Sequence, residues 1–441
     1  MDWKIFQLIV LYIGYLGLSV ESQCLENNDT HKCKLGTKTP YRLIANLNDS
    51  LINYPGCIEK KIWLLVRHGT RFPGKKYVPI MMSKLPHLQE LILSSYVANR
   101  SRLMPDHISQ IAKWKLNFAE DAVMKLAEEG EREMIDLAER FQSRFPTLFP
   151  EKYSNLTYKF KYTATQRTEE SAKHFALGLF GLQGSKDVWF PEPEYRDPIL
   201  RFYKRCQRWR KEVDKNPKAY EEEQKFIQSS VVSDTLKDIS SFLGFQVDYE
   251  AANLMYTICA FETAWYSNSE SAWCNVFQPK HFKVLEFAED LKYYWIDGYG
   301  YPLTYEQACP ALRDMFNFFQ SKEDANVTAY FTHSGTILKL LSLIRVAKDI
   351  EPLKHDSYTL HEDRRVWRVS MIDAFASNLA FVLYDCKSKN PAILVMHQER
   401  IVHLPGCPKN MPCPLSIMKN LYPDNEEECQ FDTMCGLDGN V

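Results

Sequence analysis

The chain has 441 residues, 45% hydrophobic, 13% aromatic and 25% charged, with a formal net charge of -2. That is enough apolar material for a large core and, by length, for roughly two or three domains. Near neutrality argues against a general nucleic-acid binder, whose affinity rests on excess Lys and Arg, but permits a local basic pocket for a small anion.

The first residues read as a targeting segment. Lys4 precedes an apolar run from Ile5 to Val20, and the small residue Ser22 precedes Gln23. The run is short for a membrane span and ends in polar sequence, so 1–22 is expected to be a cleaved signal peptide. No later stretch offers about 18 consecutive apolar residues, so no integral membrane span is expected in the mature chain. Twelve cysteines follow, from Cys24 to Cys435. An even count behind a signal peptide predicts a disulfide framework. Cys407 with Cys413 and Cys259 with Cys274 are close enough in sequence for local bridges, and the remaining connectivity stays open. No metal site is expected, because no two cysteines have zinc-ligand spacing and none pairs with a suitably placed histidine. Asn28, Asn48, Asn99, Asn155 and Asn326 each open an Asn-x-Ser/Thr triplet. They fit N-glycosylation in the secretory pathway, with an extracellular or lysosomal destination.

Lys60 and Lys61 open the apolar run Ile62-Trp63-Leu64-Leu65-Val66, which Arg67-His68-Gly69-Thr70-Arg71 closes. Such a run predicts a strand buried on both faces, as in a parallel sheet. Its C-terminal end, where open α/β sheets place ligands, carries the Arg-His-Gly segment. From Ile108 to Phe145 the apolar positions repeat with helical period, and Gly130 is expected to divide two helices or mark a kink. Tyr158 to Tyr162 alternates as a strand and leads through Arg167 into a helix over 168–181. The stretch 189–301, with Pro191, Pro193 and many aromatics, reads as a mainly helical insertion. Strand pattern resumes at Val327 to Thr332, followed by a helix over 336–345 and strands over 379–384 and 392–396. The tail, 407–441, reads as irregular and disulfide-stapled. The expected fold is α/β: a mainly parallel central sheet flanked by helices, formed by 23–188 and 302–406, with 189–301 as a smaller inserted cap.

Arg67-His68-Gly69-Thr70-Arg71-Phe72-Pro73 carries the chemistry. Guanidinium forks match phosphate oxygens bidentately. Gly69 lets the backbone approach a ligand closely. A histidine among cations is biased towards its neutral, nucleophilic form.

This heptad resembles the signature of the branch-2 histidine phosphatases, the histidine acid phosphatases. Cys33 to Tyr41, Leu126 to Glu133 and Ala376 to Tyr384 resemble the branch of multiple inositol polyphosphate phosphatases. The resemblance spans about Cys33 to His403. It implies that His68 is the nucleophile and becomes a phosphohistidine, and that Arg67, Arg71 and Arg167 bind phosphate. It makes His333 the second active-site histidine, with no metal or organic cofactor. One position departs. The family places its proton-donating acid just after the second histidine, as Ala-Glu or as Asp; here Ser334 and Gly335 stand there and neither is an acid.

Three readings follow: a phosphomonoesterase with an altered proton donor, a catalytically impaired phosphate-ligand binding or interaction protein, or an extracellular structural glycoprotein. The expected partner is a small phosphorylated substrate such as an inositol polyphosphate. Lys75 and Lys76 either meet its further phosphates or form a solvated face.

Overall fold

The computed structural model describes residues 24, 30–118, 120–361, 365–387, 391–423 and 427–436. The expected leader and Asn28 lie outside the described residues. A seven-stranded sheet is built from β1 (Cys57–Arg67), β2 (Tyr158–Tyr162), β3 (Val327–Thr332), β4 (Asn378–Cys386), β5 (Pro391–His397), β6 (Arg400–Ile401) and β7 (Cys413–Pro414). Their order is β2-β3-β1-β4-β5-β6, with β7 on β5.

β1 is central, and its burial follows its sequence. The segment Cys57 to Lys61 is partly exposed, whereas Ile62 to Arg67 is buried throughout. Ile62, Leu64 and Val66 face a layer that contains Leu137, Phe141 and Phe175. Trp63 and Leu65 face the opposite layer with Leu312, Met315, Ile337 and Leu340. Each such side chain contributes about 1.5–3 kcal/mol by leaving water.

The α/β class and the flanking helices agree with the sequence reading, but the sheet is mixed rather than mainly parallel. β2 pairs with β3 and β3 with β1 in parallel, while β4, β5, β6 and β7 join antiparallel. The connections explain this. β4 reaches β5 through 387–390, and β5 reaches β6 through Gln398-Glu399, spans too short for a parallel crossover.

The longer helices are α1 (Tyr77–Val97), α2 (Pro105–Lys113), α3 (Glu128–Arg144), α4 (Gln166–Gly184), α5 (Ser230–Leu243), α6 (Tyr249–Trp265), α7 (Pro279–Asp297), α8 (Cys309–Gln320) and α9 (Ser334–Leu343). α3 and α4 cover one face of the sheet, α8 and α9 the other. A third cluster packs Met81 and Leu85 of α1 and Ile111 of α2 against Ile239, Ile258, Phe261 and Leu285 of α5, α6 and α7. The helical stretch expected across 108–145 ends with α2 at Lys113 and resumes with α3 at Glu128, and Gly130 lies in the first turn of α3 rather than at a break.

The tail is more ordered than expected. Residues 415–421 and 431–435 are helical, and Cys413 pairs with β5. Six disulfides join Cys24–Cys33, Cys57–Cys386, Cys206–Cys435, Cys259–Cys274, Cys309–Cys429 and Cys407–Cys413. Both local bridges considered from the sequence are among them. Asn48, Asn99 and Asn155 are exposed, and Asn326 is half-buried. Among the described residues no helix is long and apolar enough to cross a membrane.

The β5–β6 turn holds the sheet to the segment ahead of β4. Gln398 and Glu399 both have positive φ, 47° and 64°, as a two-residue hairpin of the primed type requires. Non-glycine residues pay for that geometry. Here Glu399 is anchored by Arg140, at 2.8 Å and 2.9 Å, by Arg144, and by the Tyr41 hydroxyl at 2.8 Å. The Gln398 amide donates to the Met371 carbonyl at 2.6 Å. Glu399→Gln strands two guanidinium charges and is expected to cost about 3–5 kcal/mol of stability, read by denaturant unfolding. An unchanged midpoint refutes this anchoring role.

Candidate active site

The three parallel strands end at one edge. β1 delivers Arg67 and then His68. β2 delivers Thr163 and, at the start of α4, Arg167. β3 delivers His333, which caps α9. Backbone bonds fix the junction: His68 N–H donates to Thr332 O at 3.0 Å, Arg67 N–H to Ser377 O at 2.8 Å, and Ala376 N–H to His68 O at 3.2 Å.

The loop after His68 lies directly on α3. A Cβ on Gly69 would collide with the Gly130 backbone, and one on Gly130 with Thr70. The Leu126–Glu133 motif thus supplies a close contact, for which only glycine has room. Glu133 clamps the same loop, accepting from Thr70 N–H at 2.6 Å, Thr70 Oγ1 at 3.0 Å and Tyr41 N–H at 2.9 Å.

His68 is buried, and its Nδ1 lies 2.9 Å from the Gly69 carbonyl. A carbonyl only accepts, so Nδ1 carries the proton and Nε2 keeps a free lone pair. Burial, then Arg167, Arg67 and Arg71, holds its pKa well below the usual histidine value. The ring stands 5.6 Å from that of His333, centroid to centroid. His333 Nδ1 faces an Arg167 guanidinium nitrogen at 3.2 Å, and its Nε2 faces Thr163 Oγ1 at 2.9 Å. Because Arg can only donate, His333 is neutral with its proton on Nε2. Burial and then Arg167, Arg201, Arg71 and Arg67 hold its pKa well down too.

Arg67 is buried, its guanidinium 4.8 Å over the Phe375 ring and 3.5 Å from Asp373 Oδ2. Arg71 lies 5.9 Å over Phe261 of α6, and Trp265 of the same helix donates to its carbonyl at 3.1 Å. Burial and then neighbouring arginines push Arg71 down to about 9 and Arg167 down to about 10, so both remain charged at neutral pH. The Nε atoms of Arg67, Arg71 and Arg167 are buried without a hydrogen-bond partner. Buried donors are normally satisfied. A tetrahedral oxyanion beside His68 would accept from such donors, leaving Nε2 to meet its central atom.

All five residues singled out as catalytic or phosphate-binding, Arg67, His68, Arg71, Arg167 and His333, therefore meet at one edge. Lys75 and Lys76 are exposed just ahead of α1. Ser334 donates to Asp373 Oδ2. Gly335 leaves space in which a Cβ would stand 3.2 Å from Asp297 Oδ1, and Asp297 is itself paired with Lys339. Sequence reasoning missed Arg201, Asp373, Asp297 and Thr163. Thr163 directly follows the strand Tyr158 to Tyr162 and precedes Arg167, which was the available signal. The others sit in segments without a motif.

If this edge is an oxyanion site, Arg167→Ala removes a charge-assisted donor worth about 1.5–3 kcal/mol. Calorimetry should then show orthophosphate binding weakened about ten- to a hundredfold in a folded variant. Unaltered affinity removes Arg167 from the site.

The family model of the histidine phosphatase superfamily, branch 2, matches residues 60–400. The chain is 33% identical over 411 residues to multiple inositol polyphosphate phosphatase 1 of Drosophila melanogaster, covering 89% of this chain and 86% of that one. It is 30% identical over 442 residues to the protein of that name from Homo sapiens, covering 91% and 88%. The fold matches the phytase of D. castellii with a TM-score of 0.74 at 15% identity, covering 92% and 88% of the two chains. It also matches Bifidobacterium longum multiple inositol polyphosphate phosphatase, crystallised with inositol hexasulfate, with a TM-score of 0.69 at 15% identity, covering 89% and 98%. The chain belongs to branch 2 of the histidine phosphatase superfamily and is a phosphatase of that family.

Proposed function

We propose that the chain is a secreted phosphomonoesterase that removes phosphate from inositol polyphosphates through a phosphohistidine on His68. The observation that carries this reading is the set of unpartnered, buried guanidinium donors around an imidazole whose Nε2 is free. The relatives named for inositol polyphosphates, and the structural neighbour holding an inositol hexasulfate, support the substrate class.

In the first step Nε2 of His68 attacks phosphorus while Arg67, Arg71 and Arg167 hold the oxygens, His333 joins them by turning its Nε2–H from Thr163 Oγ1 to a phosphate oxygen, and the alcohol departs. In the second step water cleaves the N–P bond. The transfer needs positioning and neutralisation of oxygen charge, which fixed guanidinium groups supply. A ring bearing several phosphates would extend past the reacting group, and exposed Lys75 and Lys76 suit contacts with its other phosphates. The helical stretch 189–301, with α1 and α2 packed on its core, serves as a cap over the α/β part, 23–188 with 302–406. A leader over 1–22, the six disulfides and glycosylation at the Asn-x-Ser/Thr sites fit passage through an oxidising compartment to the cell exterior or lysosomal lumen.

One observation favours the impaired reading: no carboxyl side chain stands at 334 or 335. General acid assistance contributes about 10²–10⁴-fold. A phosphate-release assay on inositol hexakisphosphate separates the readings. The parent should release orthophosphate, and His68→Ala should lose on the order of 10⁴-fold or more in kcat. Tight binding of inositol hexakisphosphate with no release by the parent overturns the enzymatic proposal in favour of the binding protein.

A further inference from the structure

The family position for the proton donor holds no acid, but three other carboxyls lie against segments of the site: Glu133, Asp297 and Asp373. Glu133 lies under the catalytic loop, and its oxygens already accept from Thr70 and Tyr41. Asp297 stands beside Gly335, but it is already paired with the Lys339 ammonium. Asp373 differs from both. It is fully buried at the segment that leads into β4, and its carbonyl accepts from Arg67. Its Oδ2 takes a hydrogen bond from the Ser334 hydroxyl and lies 3.5 Å from Arg67, while its Oδ1 has no partner. Ser334 is half-buried and follows His333 directly at the start of α9, and its hydroxyl is hydrogen-bonded to the buried carboxyl.

Resting on the phosphomonoesterase reading, we propose that Asp373 is the proton source for the leaving alcohol and acts through the hydroxyl of Ser334. As the P–O bond to the alcohol breaks and the P–Nε2 bond to His68 forms, the Ser334 hydroxyl gives its proton to the departing oxygen. In the protonated acid the Asp373–Ser334 hydrogen bond runs from Oδ2–H to the serine oxygen, which takes that proton as it gives up its own; Asp373 is left a carboxylate opposite Arg67, accepting from the Ser334 hydroxyl. When water attacks, the P–Nε2 bond breaks, and the proton lost by water returns through Ser334 to Asp373. Atoms and charge balance over the cycle, and no further reactant enters.

The surroundings suit that task. Burial raises Asp373 to about 7, opposed by Arg67 and the Ser334 hydrogen bond and assisted by Asp297 and Glu289. The charged groups facing it are thus Arg67 from β1 and Asp297 and Glu289 from α7. Below about 7 the carboxyl is protonated, while burial and the surrounding arginines favour the neutral ring of His68.

The test compares kcat/KM for β-glycerophosphate, whose alkoxide needs a proton to leave, with p-nitrophenyl phosphate, whose phenolate does not. Asp373→Asn should lower the first about 10²–10⁴-fold and the second less than about tenfold. The alkaline fall in the parent's rate on β-glycerophosphate, centred near 7, should disappear. Ser334→Ala should show the same split, which keeps the test open should Asp373→Asn fail to fold. Equal losses on both substrates would mean that Asp373 merely holds Arg67, and would overturn the proposal. So would no loss, or the same split produced by Asp297→Asn instead. A parent inactive on both esters and on inositol hexakisphosphate would sink the enzymatic reading itself, whereas an active parent without the split sinks only the proton route.

Discussion

Like charges gathered out of water at the end of three parallel strands are the constraint to which the rest of this structure answers. Arg67, Arg71, Arg167 and Arg201 act on two neutral histidines and on each other, and Asp373 is the acid in contact with Arg67. Such a cluster costs stability in the free protein and is relieved by an anion. The same repulsion keeps imidazole unprotonated, which is the form that attacks phosphorus. In the proposed function, binding and nucleophilicity therefore share one electrostatic cause.

A strained arrangement needs a rigid frame. β1 lies between β3 and β4, and its buried run fills both layers of the α/β core. Glycines at 69 and 130 bring the loop after His68 onto α3, and Glu133 fastens it there. The antiparallel half of the sheet has its own part in the site. Because β4 starts where β1 ends, the segment ahead of it returns to the strand ends with Asp373 and Phe375. The β5–β6 turn then grips that segment through Gln398 and Met371.

Much of this was legible in the residues. The continuous apolar run before Arg67, the strand before Thr163 and the strand before His333 set three chain ends together, and the heptad named the chemistry. What stayed hidden was tertiary. A run such as Ile62–Val66 is buried on both faces whether its neighbour is parallel or antiparallel, so the mixed sheet could not be read from it. Gly130 looks like a helix break in one dimension and is a contact surface in three. Asp373 lies in Ser370-Met371-Ile372-Asp373-Ala374, which has no motif or period to mark it. Arg201 owes its place to Thr332 and Thr336, whose hydroxyls hold the Leu200 carbonyl at 2.7 Å. Helices in the tail were obscured by its cysteines, which link it to 206 and 309 in the main body.

The electrostatic account rests on the state of one ring, which nitrogen-15 NMR of labelled histidines reads directly. His68 should keep its proton on Nδ1 and stay neutral well below the ordinary histidine pKa of about 6.5, with bound orthophosphate raising that pKa. A ring that titrates at the ordinary value and ignores phosphate would contradict it.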